Sequence, residues 1–325
     1  MLPVFILTLM TVLAVSTVIA LLTNSLIIVV NLVDKAKGKN FSPSDLIVVT
    51  LCVSNIIFQI TMLINDYMSF TETEIYFSDE VYSVSVVFLI LPIYSSFWFT
   101  VCLSINYYLQ IVISTHPLLI RLKLAGAQLI APFVIASVFI SLVTGLPAAW
   151  NIYRETLYVN TSSNESLEVS FPKLSVAYLL PSNLISCSLP LALVGIANGL
   201  IIKSLVTNTH KSDRNTKGER NARAEGRVRA ARTISCLLIL YICFYISEIL
   251  VFIDFFPLDS SGFGTCLVVI YSYSPAQSIV LIFGSPKLKQ VFLGLLCCLG
   301  SIAQEKPRNP TVLFIQTGVE KTVHL

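Results

Sequence analysis

Long uncharged apolar runs alternate with short polar clusters along this chain, and the runs recur from one end to the other. Seven can be marked, near residues 4–33, 44–65, 81–113, 125–149, 175–206, 230–254 and 263–284. Each reaches the roughly 20 apolar residues that a helix needs to cross a hydrocarbon core about 30 Å thick. Lipid offers no partner to an exposed backbone polar group, so such runs are expected to be helical. The pattern predicts an all-α membrane protein, a seven-transmembrane helix bundle. Ser42-Pro43-Ser44-Asp45 punctuates it most clearly, with Ser42 as N-cap, Pro43 at the first helical position and Asp45 at the positive helix end. The first run could be a cleaved signal peptide, but residues 1–33 carry no basic segment and are about twice too long. A retained first span is expected.

Composition strengthens the membrane reading. The 325 residues are 55% hydrophobic and only 12% charged, against about a quarter charged in ordinary soluble domains. Charge placement then gives the sidedness. Of the 21 Lys and Arg, 19 fall in the segments at 34–43, 114–124 and 203–232 or after residue 284; only Arg154 and Lys173 lie on the other side. The positive-inside rule puts the 19 in the cytoplasm and the N-terminus outside, which requires an odd number of spans. The segment at 66–80 carries Asp66, Glu72, Glu74, Asp79 and Glu80 without a single Lys or Arg. The loop at 150–174 holds two N-glycosylation acceptors, Asn160 and Asn164. The expected location is the plasma membrane, with the C-terminus inside.

Six of the eight cysteines (Cys52, Cys102, Cys187, Cys236, Cys243 and Cys266) fall within spans, so no disulfide framework is implied. Cys297 and Cys298 follow an amphipathic stretch, residues 286–296, opened by Ser285. It reads as a short interfacial helix with two palmitoylation candidates, or equally with two inert small residues. A receptor domain is expected over 1–293 and a cytoplasmic tail over 294–325.

No metal-ligand, phosphate-binding or nucleophile motif is visible, and three histidines form no cluster. Neither an enzyme nor a cofactor is expected, and nucleic acid is not an expected partner. In the sixth span Tyr241, Phe244, Tyr245 and Glu248 follow i, i+3, i+4, i+7 spacing and share one helical face. The aromatics serve either a ligand or plain helix packing. Glu248 is sharper: a carboxylate within a span costs roughly 2.5–3.5 kcal/mol even on lenient scales, so it should face the bundle or a wet cavity.

Further motifs carry a family likeness. TNSLIIVVNLVD in span one places Asn24, Asn31 and Asp34 in the pattern G-N-x-F-I-x-x-V-N-x-x-D. FSPSDLIVVTLCVSN opens span two, THPLLIRLK follows span three, EGRVRAAR opens span six and QSIVLIFGSPKLKQVFL ends span seven. In this order, over about residues 20–293, the chain resembles the type 2 (bitter) taste receptor family of G-protein-coupled receptors, as a divergent member. The resemblance implies a cavity between the outer helix halves, a small-molecule agonist and a heterotrimeric G protein with a gustducin-like α subunit.

The resemblance also assigns residues. Family contact positions in span three fall on Leu89 and Ile93, with Tyr94 beside them; Asn183 and Ser186 in span five and Leu267, Ile270 and Tyr271 in span seven join them. The departures are Asn55 for an Arg, Gln110 for a Lys, Arg227 for a His and Gln277 for a His. Asn55, Gln110 and Gln277 therefore mark altered switch positions, while His116, Pro117 and Arg232 are the residues expected to meet the G protein. Acidic groups at Glu248, Asp66 and Asp254 would favour cationic amphipaths. Pro190 and Pro275 are expected to kink their helices. Alternatives are a vomeronasal type 1-like pheromone receptor and, from another class, a seven-span transporter or channel. Membrane lipid is an expected partner, and homo- or hetero-oligomers stay open.

Overall fold

The computed structural model describes residues 2–39, 42–111, 117–160, 166–211, 219–257 and 260–304. Helices α1 (Leu2–Ala36), α2 (Pro43–Thr71), a short α3 (Thr73–Tyr76), α4 (Asp79–Ile111) and α5 (Pro117–Gly145) come first. A 3-10 turn at Leu146–Trp150 leads into an antiparallel hairpin of β1 (Ile152–Asn160) and β2 (Ser166–Leu174). Helices α6 (Val176–Asn183) and α7 (Leu189–Lys211) follow, joined by a π-helical turn at Leu184–Ser188. Helices α8 (Glu219–Phe252), α9 (Ser261–Gly284) and α10 (Pro286–Gln304) complete the order. Seven of these segments are long and apolar enough to cross a membrane, from Leu7–Ala36 through Ser261–Gly284, the fifth being Val176–Thr207 with its π turn.

The bundle is apolar outside and partly polar inside. Leu22, Ile135 and Phe139 are about two-thirds exposed, whereas Asn24, Gln59, Ser104, Ser274 and Ser278 are buried. In lipid no hydrophobic drive pushes helices together; van der Waals packing and interhelical hydrogen bonds do. Helix α4 is the central element, packing on α2, α5, α7 and α8, while α1 lies against α2 and α9.

Local signals account for the helix ends. Ser42 Oγ accepts from the Asp45 N–H at 3.1 Å and the Asp45 carboxylate accepts from the Ser42 N–H at 3.0 Å, a full capping box ahead of Pro43. At the far end of α8, Asp254 adopts a positive φ of 49°. The Phe255 N–H returns to Leu250 O at 3.1 Å and the Asp254 N–H to Val251 O at 3.2 Å, the two bonds of a Schellman stop. Helix α8 begins at Glu219, well ahead of the expected 230, because Arg, Ala and Glu sustain a helix outside the apolar run. Helix α10 continues to Gln304, so the expected tail boundary at 294 falls inside it.

The sequence pattern suggests a loop over 150–174; the chain instead pairs there as a hairpin. It is tied down by the two cations of that end of the molecule. Arg154 pairs with Asp79 at 2.9 Å, and Lys173 bridges Glu155, at 2.9 Å, and Asp254. Beside these carboxylates the Lys173 ammonium is held above its ordinary range, with Asp254 the larger influence and Glu155 the second. The opposite end, bearing Lys37, Arg229, Arg232 and Lys287, is called the basic end below.

Candidate functional site

Two prolines shape the interior. Pro275 lies inside α9 and gives no N–H to the carbonyl of Tyr271, four residues back. Gln59 of α2 fills the vacancy: its Nε2 donates to Tyr271 O at 3.0 Å, and Thr17 Oγ1 donates to Gln59 Oε1 at 3.2 Å. Pro190 likewise cannot donate to Ser186, and the chain ahead of it widens into the π turn. Tyr241 of α8 reaches that turn, its hydroxyl donating to Cys187 O at 2.9 Å.

Below the Gln59 contact lies a chain of side-chain amides. Asn55 Nδ2 donates to Gln277 Oε1 at 2.7 Å and to Asn24 Oδ1 at 3.1 Å. Gln277 Nε2 donates to the Tyr273 hydroxyl at 3.1 Å, and Asn24 Nδ2 to Ser274 Oγ at 3.3 Å. Thr23 and Ser278 hydroxyls meet at 2.6 Å. These amides and hydroxyls satisfy one another across α1, α2 and α9.

Above this layer, toward the hairpin, aromatic rings fill the space. Phe97 stacks on Tyr241 with centroids 3.7 Å apart, and Phe244 stands edge-on to Phe97 at 5.7 Å and 4.6 Å from Tyr273. Between rings and amides lies a void of about 10 Å³, lined by Asn55, Ile93, Phe97, Phe244 and Tyr273 among others. Such a space holds about one water.

Most of the expected contact residues converge here. Tyr94, Tyr241, Phe244 and Ile270 belong to one buried cluster, with Leu89, Ile93 and Tyr245 packed at its edge. The Tyr94 hydroxyl donates to Asn183 Oδ1 at 2.9 Å, linking α4 to α6. Tyr245 hydrogen-bonds Ser188 of the π turn. Ser186 turns instead to Thr144 Oγ1 at 2.7 Å, and Leu267 is half-buried outside the cluster. The rings of Phe58, Phe97 and Tyr273 were missed. A signal existed for two of them: Ile90, Tyr94, Phe97 and Val101 form one buried stripe on α4, and Ile270, Tyr273 and Gln277 another on α9.

The three carboxylates expected to draw a cation part company. Asp254 is engaged by Lys173, and Asp66 accepts from the Tyr271 hydroxyl, so neither is open and Tyr271 is committed as well. Glu248 differs. It is only 4% exposed, and its Oε2 has no hydrogen-bond partner among the described residues.

The remaining predicted positions scatter. Gln110, exposed, donates to Asn106 Oδ1 at 3.3 Å, and Asn106 Nδ2 donates to Ser44 Oγ at 2.7 Å. Pro117 opens α5, His116 and Asn164 lie outside the described residues, and Asn160 closes β1 opposite Ser166. Arg232 is exposed at the basic end, where Lys287 joins Asn31 at 2.9 Å and Asp34 at 2.7 Å and so pins α10 to α1. Cys297 and Cys298 are exposed on α10.

Known proteins resolve the family. A profile described as "Taste receptor protein (TAS2R)" matches residues 1–300. This chain belongs to the type 2 taste receptor family. It is similar to taste receptor type 2 member 119 of Rattus norvegicus, 30% identical with 90% of this chain and 87% of the relative covered. Taste receptor type 2 member 40 of Gallus gallus is 28% identical over 86% of this chain and 91% of its own length. Member 8 of Homo sapiens is 26% identical over 86% and 92%. The span-one and span-seven motifs thus have a structural counterpart in this taste receptor: Asn31 and Asp34 of one meet Lys287 of the other.

Proposed function

We propose that this taste receptor is a bitter-type G-protein-coupled receptor of the plasma membrane, with its N-terminus outside and its C-terminus in the cytoplasm. It binds small cationic amphipaths among α4, α6, α8 and α9 beneath the hairpin and activates a heterotrimeric G protein of gustducin-like type at the basic end. Family membership supports the receptor class, and the distribution of the 21 Lys and Arg supports the orientation. The observation that carries the ligand class is Glu248. A buried carboxyl group with an unpartnered oxygen is costly inside a span, and a ligand ammonium would supply that oxygen with a partner.

The void beneath the rings is about 10 Å³, so an agonist that reaches past Glu248 toward it parts Phe97, Tyr241 and Phe244. That parting is the differential contact a population shift requires: agonist favours the arrangement in which the rings separate. Tyr241 holds the π turn and Phe244 touches Tyr273, which accepts from Gln277, so ring movement reaches both the fifth span and the amide layer. The calcium response of cells expressing a promiscuous G-protein chimera tests the reading. Glu248→Gln should shift cationic alkaloid agonists at least tenfold to higher concentration while neutral terpenoid agonists keep their potency. Unchanged alkaloid potency at equal surface expression would sink it.

A further inference from the structure

A cleft of about 710 Å³ opens at the basic end between α8, α9 and α10. One wall is apolar, formed by Ile279, Val280 and Phe283, the last 47% exposed. Its rim carries three cations, Arg229, Arg232 and Lys289. Arg229 is shared with Glu225 at 3.0 Å, whereas Arg232 and Lys289 make no ion pair with a described residue. The Lys289 ammonium stands 5.9 Å from the Phe283 ring centroid, where charge gives way to the apolar wall. A membrane surface runs past the same place. Helix α10 buries Leu288 but exposes Leu293, Leu295 and Leu296, as a helix lying in the lipid interface does.

We infer that this cleft binds an acidic phospholipid, its headgroup phosphate against Arg229, Arg232 and Lys289 and its acyl chain along Ile279, Val280 and Phe283. The occupant follows from the two chemistries meeting in one cleft. A free phosphate would use the rim and leave the apolar wall bare; a lipid without net negative charge would leave Arg232 and Lys289 uncompensated. Each cation near an anionic bilayer surface adds an attraction that a soluble ion lacks. The site is separate from the ligand cluster beneath the hairpin and does not depend on what that cluster binds. By bridging α8 and α10, a bound lipid would brace the end of the bundle at which the sixth and seventh spans are held together.

Native mass spectrometry of the purified full chain in detergent, titrated with phosphatidylinositol 4,5-bisphosphate or phosphatidylcholine, tests this. The acidic lipid should bind and the neutral one should not. Arg229→Gln with Lys289→Gln should weaken the acidic lipid about tenfold. Lys37→Gln with Lys203→Gln removes the same charge from exposed residues elsewhere at that end and should change binding less than twofold. Equal losses in the two double variants would mean diffuse surface charge and overturn the site, as would no loss in either. Soluble inositol trisphosphate binding as tightly as the lipid would assign the rim to a free phosphate instead. Displacement of the lipid by the C-terminal peptide of a G-protein α subunit, lost in the same double variant, would assign the cleft to that partner. Should the first double variant not fold, Lys289→Gln alone is expected to lose about threefold, and no loss there overturns the proposal.

Discussion

Asn55 Nδ2 donates to Gln277 Oε1 at 2.7 Å, so a side-chain amide of α2 is bonded to one of α9 inside the bundle. Two neutral amides join there through one N–H···O hydrogen bond and bury no charge. Removing Asn55 would leave Gln277 Oε1 without this donor between α2 and α9, although Asn55 also bonds Asn24 and Gln277 also bonds Tyr273. Interhelical hydrogen bonds in membrane proteins average about 0.6 kcal/mol and reach about 1.7 kcal/mol.

A double-mutant cycle follows from this pairing. Asn55→Ala and Gln277→Ala should each cost about 1 kcal/mol, and the double variant should cost less than their sum because the bond they share is lost only once. Thermal unfolding in detergent at a fixed lipid content measures all three. Additive costs would show that the amides act independently.

Gly284 makes a second prediction at the junction of α8 and α9. A Cβ there would lie 2.6 Å from Thr233 Oγ1 and 2.9 Å from its Cγ2. Thr233 is β-branched and its hydroxyl already donates to Arg229 O at 3.0 Å, so it cannot swing aside. Gly284→Ala should destabilise by about 1–3 kcal/mol through overpacking. Combining it with Thr233→Ser should recover part of that loss, and melting of the purified receptor reports both.

Around the hairpin the prediction concerns pH and salt. The Lys173 ammonium is raised by Asp254 and Glu155, so its contribution is fully present below the ordinary lysine range near 10 and is lost only as pH climbs through the raised value. Amide exchange of β1 and β2, corrected for its intrinsic pH dependence, should show no change from this group between pH 6 and 9 and loosening at more alkaline pH. Asp254 is more than half exposed, and such pairs contribute about 0.2–1 kcal/mol. Asp254→Asn keeps a residue tolerant of positive φ and removes the charge, so hairpin exchange should quicken by a few-fold while α8 stays protected. High salt should produce a similar effect.

The spans, their number and their capping were written in local patterns: apolar runs long enough to cross lipid, and Ser42 and Asp45 three residues apart. The Asn31, Asp34 and Lys287 motifs were visible as family features, but nothing in either segment says that they touch. The hairpin escaped because its pairing of Ile152 with Leu174 joins distant positions and β1 does not alternate, although Ser166 to Phe171 of β2 alternate polar and apolar.

The sequence by itself determined that this chain is a seven-span membrane helix bundle with most of its cations at one end, because length, hydropathy and charge act residue by residue. Tertiary structure decided which polar groups were spare. The sequence offers Asp66, Asp254 and Glu248 as acidic groups, with Glu248 foremost for lying within a span; folding gives the first to Tyr271, the second to Lys173, and leaves Glu248 with an unpartnered oxygen. Whether a buried charge is satisfied depends on what the other helices bring to it, and that is settled only when they pack.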